Sequence, residues 1–445
     1  MGLSYVRELD EYPTGSRRIK ILAMAVLAIL IGSYEAQIAP VVPLLEHDLH
    51  MSLAVYGGIS AIAVLAGGVA SMFGGRLVDN VGRVRLLIPL MLATSICCFG
   101  MTLVHNSTHL LIARIVLAFI DGMAMAGTAP LVRDFAPRLG RAQAFGFWTW
   151  GPVGANFMAA LIASTTLPLF NDSWRSQFVI MGAISLVISL VIAVNIADLS
   201  PRLRAQILRS EQEALGAADE QKPLRALELF KHRHIWAHVV AISLWLIVYM
   251  TVSLLGQTML VDSFGVSVAK ASSIMSAFWI LDLVALIVVG RISDKLQLRK
   301  PFSLIGTLLG VVVMIYFISL MGRSTAPVTE LMIAGALLGA TLAMAYAPWM
   351  ANYSENAEDV DPRLQGTAWG VFGFLTKFVA CLVLVVCPIV VKASLGSWQP
   401  WLYVCLAGMV LFIPAVFLFH GPWRRSERPA TVEPAVAKTP VEAGD

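Results

Sequence analysis

The chain has 445 residues, of which 58% are hydrophobic and only 13% are charged, and its formal net charge is +4. A soluble protein carries roughly twice that charged fraction, so the composition excludes an ordinary soluble enzyme and indicates an integral membrane protein. The small positive charge gives no reason to expect a nucleic-acid partner.

Twelve apolar runs are long enough to cross a membrane, because about 20 apolar residues in a helix span the hydrocarbon core. The predicted spans are 20–45, 53–75, 84–104, 109–132, 143–168, 176–197, 236–261, 268–290, 301–321, 328–350, 366–391 and 398–420. The first run follows a polar segment and has no small-residue cleavage pattern after it, so we expect it to remain as a helix. All five cysteines lie inside these runs, which argues against a disulfide framework, a metal site or a redox motif.

Basic residues lie mostly on one side of the predicted spans. The termini and the even-numbered loops hold most of the 32 Lys and Arg residues, whereas the opposite loops hold only Arg175, Lys270, Arg323 and Lys392. Because positively charged loops are retained in the cytoplasm, we predict a multi-pass protein of the cytoplasmic membrane with both termini in the cytoplasm.

The only long polar interval between spans divides the chain into two similar parts. Residues 198–235 form this linker, in which a short interfacial helix is plausible, and they separate a six-span bundle at 20–197 from another at 236–421. Residues 1–19 are a cytoplasmic segment. The tail, residues 422–445, has the composition of a disordered region.

A charged hairpin between spans two and three recurs in the second part. It contains Gly75, Asp79, Gly82 and Arg83, and its Gly-x-x-x-Asp spacing returns at Gly290 and Asp294, between spans eight and nine. Such an internal duplication is typical of secondary transporters.

A second pair of loops supports the repeat. Asp134 is followed by Pro-Arg-Leu before span five, and Glu355 is followed by Pro-Arg-Leu at 362–364 before span eleven. The two parts of the chain therefore share more than one motif.

These motifs resemble those of the major facilitator superfamily of secondary transporters. The sequence Gly75-x-x-x-Asp79-x-x-Gly82-Arg83-x-Arg85 is similar to the family's signature between helices two and three, and the resemblance covers roughly residues 15–422. It implies an all-α fold of twelve transmembrane helices in two pseudo-symmetric six-helix bundles. It also implies a monomer without a cofactor, which alternates access by rocking its halves around a central site.

We interpret the repeated loops as a cytoplasmic gate latch, since a carboxylate at a helix end can pair with a cation in one conformation and release it in another. The latch would comprise Asp79, Arg83, Asp134 and Arg141 in the first half and Asp294 and Glu355 in the second. The glycines Gly75, Gly82 and Gly290 would allow close helix approach. The alternative is a solvated loop that only sets topology.

Ionisable residues inside the spans indicate the mechanism, because each costs about 2.5–3.5 kcal/mol at a helix centre. They are Glu35, Arg114, Asp121, Asp282 and Lys377. Arg114 and Lys377, one cation from each half, are expected to bind an anionic substrate. The three carboxyl groups are expected to carry coupling protons, with Glu35 and Asp121 preferred, because burial disfavours the charged form of a carboxyl group.

The resemblance implies similar roles for the two cations. Arg114 stands where the family's fourth helix usually has an arginine linked to proton coupling, and Lys377 resembles a basic residue in helix eleven of carboxylate transporters. The alternative is that Arg114 with Glu35 or Asp121, and Lys377 with Asp282, form structural ion pairs.

Other polar and aromatic residues are candidate substrate contacts. Tyr34 and Gln37 precede Pro40 and Pro43, which predict a break in the first span near a binding region. Asn156 and Trp349 complete this set. Further aromatic residues that could stack on a ring-containing substrate, or only pack, are Trp148, Trp150, Trp245, Tyr249, Trp279, Tyr346, Trp369 and Phe372.

Together these features predict proton-coupled symport of an organic anion, with a carboxylate as the preferred substrate class. The alternative is proton-driven efflux of drugs or other lipophilic compounds, because Gly151-Pro152 in span five is similar to the core of an antiporter signature, although its spacing departs from it. A phosphate-binding loop, a Ser/His/Asp arrangement and a metal-ligand cluster are absent from the sequence, so neither an ATP-driven pump nor an enzyme is expected. A sensor built on a transporter fold stays open.

Overall fold

A computed structural model describes residues 6–135, 141–204, 206, 226–321, 326–360 and 365–424. Within these residues the chain is almost entirely helical. The first half contains α1 (Gly15–Glu35), α2 (Val42–Asp48), α3 (Leu53–Val81), α4 (Arg83–Gly100), α5 (Ser107–Met125), α6 (Thr128–Phe135), α7 (Arg141–Thr166) and α8 (Trp174–Asn195). The second half contains α9 (Arg233–Phe264), α10 (Val268–Leu296), α11 (Lys300–Leu320), α12 (Val328–Val360), α13 (Gln365–Ala393) and α14 (Gln399–Leu418). A short parallel pair joins β1 (Glu8–Leu9) to β2 (Asp198–Leu199).

Twelve segments of the described chain are helical, long and apolar enough to cross a membrane. They coincide with the twelve predicted spans, so the predicted all-α membrane fold is confirmed. The proposed interfacial helix of the linker and the proposed disorder of the tail fall largely on residues outside the described ranges.

The predicted break in the first span is confirmed. The helix α1 ends at Glu35, a 3-10 turn covers Ala39–Val41, and α2 starts at Val42. Pro40 and Pro43 lie within the first residues of these two elements, where the missing N–H of proline costs no hydrogen bond. The backbone is therefore irregular close to Glu35.

Glycines set the closest approaches between helices, and these approaches repeat in the two halves. A Cβ atom on Gly122 of α5 would collide with the backbone of Gly67 in α3, and one on Gly339 of α12 would collide with the backbone of Phe278 in α10. Small residues let helix backbones meet in this way when little hydrophobic force drives them together. Spans two and four thus pack like spans eight and ten.

Contacts between the halves are prominent on the face opposite the termini. Gly57, near the start of α3, abuts the backbone of Leu384 and the ring of Pro388 in α13. Ala163, near the end of α7, shares a buried cluster with Val268 at the start of α10. The halves are therefore closed against each other on this face, which we call the opposite face; the face at the start of α1 and the end of α14 is the terminal face.

Candidate functional site

Glu35 is buried at the end of α1, where the backbone becomes irregular. Its side chain is 2% exposed, and Oε1 accepts a hydrogen bond of 2.7 Å from the Ser95 hydroxyl of α4. The other oxygen, Oε2, has no hydrogen-bond partner among the described residues. Glu35 can therefore hold a proton on Oε2 without breaking a hydrogen bond within the protein.

Asp121 of α5 lies against α1 at a glycine. A Cβ atom on Gly32 would stand 3.0 Å from Asp121 Oδ1 and 2.5 Å from the terminal carbon of Met125, so α1 and α5 pack closely at this carboxyl group. The Oδ1 atom is buried and has no hydrogen-bond partner in the described part of the chain. Asp121 also lies within electrostatic range of Glu35.

Lys377 reaches from the second half of the molecule into the first. It belongs to α13, and its Cδ atom lies 3.3 Å from the position of a Cβ on Gly68 in α3, so the missing side chain of Gly68 makes room for it. Its charge acts on Asp121. A cation and a carboxyl group from opposite halves thus meet at the seam between them.

Arg114 contacts the broken end of α1. Its Nη1 atom donates a long hydrogen bond of 3.4 Å to the backbone oxygen of Ala36, and its Nε has no partner among the described residues.

The structural ion pairs considered for these groups do not form in this structure: within the described chain, Arg114 makes no salt bridge to Glu35 or Asp121, and Lys377 makes none to Asp282. Both cations keep hydrogen-bonding capacity for a ligand.

Three further predicted contacts occupy two different places. Tyr34 and Gln37 line a small cavity at the break after α1, together with Gln177 of α8. Asn156 of α7 accepts a hydrogen bond of 3.3 Å from Ser253 of α9, so it joins the two halves.

Trp349 lies in a row of nearly parallel rings that we call the aromatic stack, formed by Trp245, Tyr249, Tyr346, Trp349 and Tyr353. Trp245 lies 4.9 Å from Tyr249 and 5.0 Å from Tyr346, centroid to centroid, and Trp349 lies 5.8 Å from Tyr346 and 5.3 Å from Tyr353. Tyr353 was not predicted, although its position four residues after Trp349 places it on the same face of a helix.

Asp282 is buried beside this stack. It is 1% exposed, and neither carboxyl oxygen has a hydrogen-bond partner among the described residues. Its charge acts on Tyr249 and Tyr346. Asp282 thus differs from Asp121, on which the charge of Lys377 acts.

The first half carries an ion-pair network on the terminal face. Arg83 Nη1 lies 2.7 Å from Asp134 Oδ2, and Arg204 lies 2.6 Å from Asp198 Oδ1 and 3.6 Å from Asp134. The backbone N–H groups of Arg83 and Val84 donate to Asp198 Oδ2 at 3.0 and 3.2 Å, so Asp198 caps the start of α4. Asp198 and Arg204 were not predicted; the only signal was a carboxylate and an arginine just after the sixth span.

The second half carries its own network. Arg299 is paired with Asp294 at 2.5 Å and Glu355 at 2.8 Å, and it donates to the Ser293 hydroxyl at 2.9 Å. Burial alone would lower the pKa of the Arg299 guanidinium, but hydrogen bonds and charges from Glu355 and Asp294 outweigh burial and raise that pKa. Arg299 was not predicted, because it lies outside the repeated motif.

The proposed latch residues thus divide into two separate networks, since each ion pair found among the described residues joins groups of one half. The side chains of Asp79 and Arg141 lie outside the described part. Gly82 has φ of 109° between α3 and α4, which requires glycine.

No close helix approach is found at Gly75 or Gly290 among the described residues. Within that part of the chain, the space that a Cβ would take is open at Gly75, and at Gly290 it meets only Ala347 at 4.0 Å. The tight contacts lie deeper in the spans, at Gly67 and Gly122 in the first half and at Gly339 in the second, because there the helices cross.

Comparisons with known proteins agree with this architecture. Residues 21–385 match the sequence model of the Major Facilitator Superfamily. The chain is 22% identical to a gallate transporter of Pseudomonas putida over 66% of this chain and 69% of that protein. It is 25% identical to the quinolone resistance protein NorA of Staphylococcus aureus over 41% of this chain, and the match spans 46% of NorA.

Two solved structures share the fold. A D-xylose–proton symporter superposes with a TM-score of 0.70 at 18% identity, covering 92% of this chain and 98% of that one. A bacterial homologue of the human lysosomal transporter Spinster, in an inward-facing and occupied conformation, superposes with a TM-score of 0.68 at 16% identity, covering 91% of this chain and 97% of that one.

Proposed function

Because the chain belongs to the major facilitator superfamily, a family of transporters rather than enzymes, we propose that it is a proton-coupled symporter of an organic anion, with a carboxylate as substrate. It would work by alternating access in the cytoplasmic membrane, with both termini in the cytoplasm. The proposed assembly is a monomer.

The position of Lys377 carries this proposal. Its side chain crosses from α13 to Gly68 of α3 and acts on Asp121 of α5. Lys377 is exposed and makes no salt bridge with the described residues, so it is suited to an anionic ligand, to which it can donate a charge-assisted hydrogen bond. The relative that transports gallate, a carboxylate, supports the same substrate class.

The proposed coupling of proton uptake to substrate binding uses residues at the same contact between the two halves. In our proposal Glu35 and Asp121 take up protons while the site faces outside, and Asp282 is a third carboxyl group available for coupling. Once Asp121 is protonated and neutral, Lys377 would interact with the anionic substrate instead of with Asp121. Proton uptake and anion binding would then favour each other, as symport requires.

The proposed latch would act at the terminal face. The pairs Arg83–Asp134 and Asp294–Arg299–Glu355 are formed in this conformation, and in our proposal they release in another as the halves move. Such rocking of two bundles around a fixed site is how repeat-built transporters alternate access.

A ligand screen with a matched variant tests the proposal. Thermal unfolding of the purified protein is measured with benzoate, simple aliphatic carboxylates, sugars, amino acids and lipophilic cations. A ligand at about 100 times its dissociation constant stabilises by roughly 2.7 kcal/mol, and we expect carboxylates to do so in the wild type but not in Lys377→Gln. Stabilisation by carboxylates that is equal in Lys377→Gln would contradict the assigned role of Lys377.

Proton-driven efflux of lipophilic compounds is the second candidate. One observation favours it: Asp282 makes no salt bridge within the described chain and lies beside aromatic rings, a combination that suits an organic cation. The relative named for quinolone resistance points the same way. Stabilisation by lipophilic cations alone, indifferent to Lys377→Gln, would make efflux the leading function.

A further inference from the structure

Three buried polar side chains around the aromatic stack lack hydrogen-bond partners. Asp282, Trp245 and Trp349 are each 1% exposed, and both carboxyl oxygens and both indole Nε1 atoms are unpaired among the described residues. Buried polar groups in folded proteins are almost always hydrogen-bonded. Two other buried indoles in this half follow that rule: Trp398 donates to Asp262 at 3.0 Å and Trp401 to Thr251 at 2.9 Å.

The unpaired groups border the same pair of tyrosine rings. Tyr346 stacks between Trp245 at 5.0 Å and Trp349 at 5.8 Å, and Tyr249 stacks on Trp245 at 4.9 Å. Both tyrosines are within electrostatic range of Asp282. They are only half-buried, so a planar ligand can approach them.

The aromatic stack is connected to the cation at the seam through α13. Phe372 of this helix contacts Trp349 at 5.7 Å and Tyr346 at 6.3 Å. Lys377 follows five residues later, which is about 7.5 Å along a helix axis. The two residues are also about 140° apart around this helix, so their side chains leave it on different sides.

We propose that the aromatic stack is a binding subsite for a hydroxylated aromatic ring. The ring lies against Tyr249 and Tyr346, and a ring hydroxyl donates to the carboxylate of Asp282 and accepts from the indole N–H of Trp245 or Trp349. The inference rests on the proposed transport of organic anions and narrows the substrate to hydroxyaromatic carboxylates.

The indole groups distinguish this ligand from an organic cation. A cation could pair with Asp282 and lie over a ring face, but it offers no acceptor to the two indole N–H groups, which can only donate. A hydroxyl group both donates and accepts, so it satisfies an indole and the carboxyl group together.

The experiment compares equilibrium binding of benzoate, 4-hydroxybenzoate and 3,4-dihydroxybenzoate to the purified full-length protein at one pH. In the wild type we expect the hydroxylated acids to bind about tenfold more tightly than benzoate, because hydrogen bonds to charged groups are the stronger ones. In Trp349→Phe, Trp245→Phe or Asp282→Asn the gain from the ring hydroxyl should fall to less than about threefold, because each change removes one hydrogen-bonding group while the stacked rings remain.

Trp401→Phe is the matched control. It removes a buried indole N–H of the same half that already has a protein acceptor, so the preference for hydroxylated acids should be unchanged. The wild-type ratio decides the proposal even if a variant fails to fold: equal affinities for benzoate and its hydroxylated forms would overturn the subsite and leave anion transport standing.

Two other results would contradict the proposed subsite, each for a different reason. Tight binding of benzyltrimethylammonium that depends on Asp282, without binding of hydroxybenzoates, would identify a cation site. Failure of every carboxylate to bind the wild type would remove the proposed function itself, and the subsite with it.

Discussion

Asp121 illustrates what a single residue can do at the seam between the halves. Its carboxyl group faces Gly32 of α1, has one oxygen without a hydrogen-bond partner among the described residues, and interacts with the charge of Lys377. A carboxyl group that is either protonated or paired with a lysine responds to substrate binding, because an anionic substrate competes with the carboxylate for the same lysine. This role requires a side chain that can bind and release a proton, and a side chain of the same shape that cannot do so is not sufficient.

Asp121→Asn tests that requirement. We expect the variant to lose uptake driven by a pH gradient, by at least about tenfold, while it retains exchange of labelled for unlabelled substrate, because an amide cannot bind and release the proton. Both are measured in reconstituted vesicles. Asp359→Asn, a change at an exposed carboxylate, is the control; full gradient-driven uptake by Asp121→Asn would refute the assignment.

At the scale of the helix, a carboxylate that is distant in sequence stabilises the start of α4. Asp198 accepts from the backbone N–H groups of Arg83 and Val84 and also pairs with Arg204. The free N–H groups of a helix start carry partial positive charge, which a carboxylate stabilises. A residue after the sixth span thereby fixes the loop between spans two and three.

Replacing Asp198 separates its two contributions. Asp198→Ala should destabilise the protein by about 1–2 kcal/mol, because both the cap and the ion pair are lost. Asp198→Asn should cost less than half as much, since an amide oxygen still caps the helix. Thermal unfolding of the two variants side by side measures the difference, and equal losses would show that the cap contributes nothing.

Helix packing gives a second test at this scale. Gly122→Ala places a methyl group against the backbone of Gly67 and must push α5 away from α3, which we expect to cost about 1–3 kcal/mol. Gly58→Ala, in the same helix pair, has open space around the new methyl group and should be neutral or slightly stabilising. Melting temperatures that rank the two variants the other way would contradict the packing.

The whole molecule is closed on the opposite face by contacts between its halves, at Gly57 with Leu384 and at Ala163 with Val268. Each ion pair described on the terminal face stays within one half. Exposure of the central site to the opposite side therefore requires the first set of contacts to separate. Transport should stop if they cannot.

A crosslink provides the test. The double variant Ala163→Cys, Val268→Cys is treated with a short bifunctional thiol reagent in a background in which the five native cysteines are replaced by Ser or Ala. We expect crosslinking to reduce transport at least about tenfold, since the opposite face cannot open, while either single variant stays active after the same treatment. Normal transport by the crosslinked protein would show that these contacts do not separate.

The sequence by itself determined the membrane fold. Twelve apolar runs and the break at Pro40 and Pro43 followed from hydrophobicity and from the missing proline N–H, which are local properties of the chain. The ionisable residues Glu35, Arg114, Asp121, Asp282 and Lys377 were visible because charge is rare in such runs. Assignment to a family followed from the repeated loop motif.

Only the tertiary structure decided how these residues are grouped. It placed Lys377 with Gly68 and Asp121 rather than with Asp282, paired Arg299 with Asp294 and Glu355, and brought Asp198 to Arg83 across more than a hundred residues. It also showed close helix contacts at Gly67, Gly122 and Gly339 among the described residues. Sequence spacing gives the face of one helix, whereas partners depend on which helices cross and at what depth.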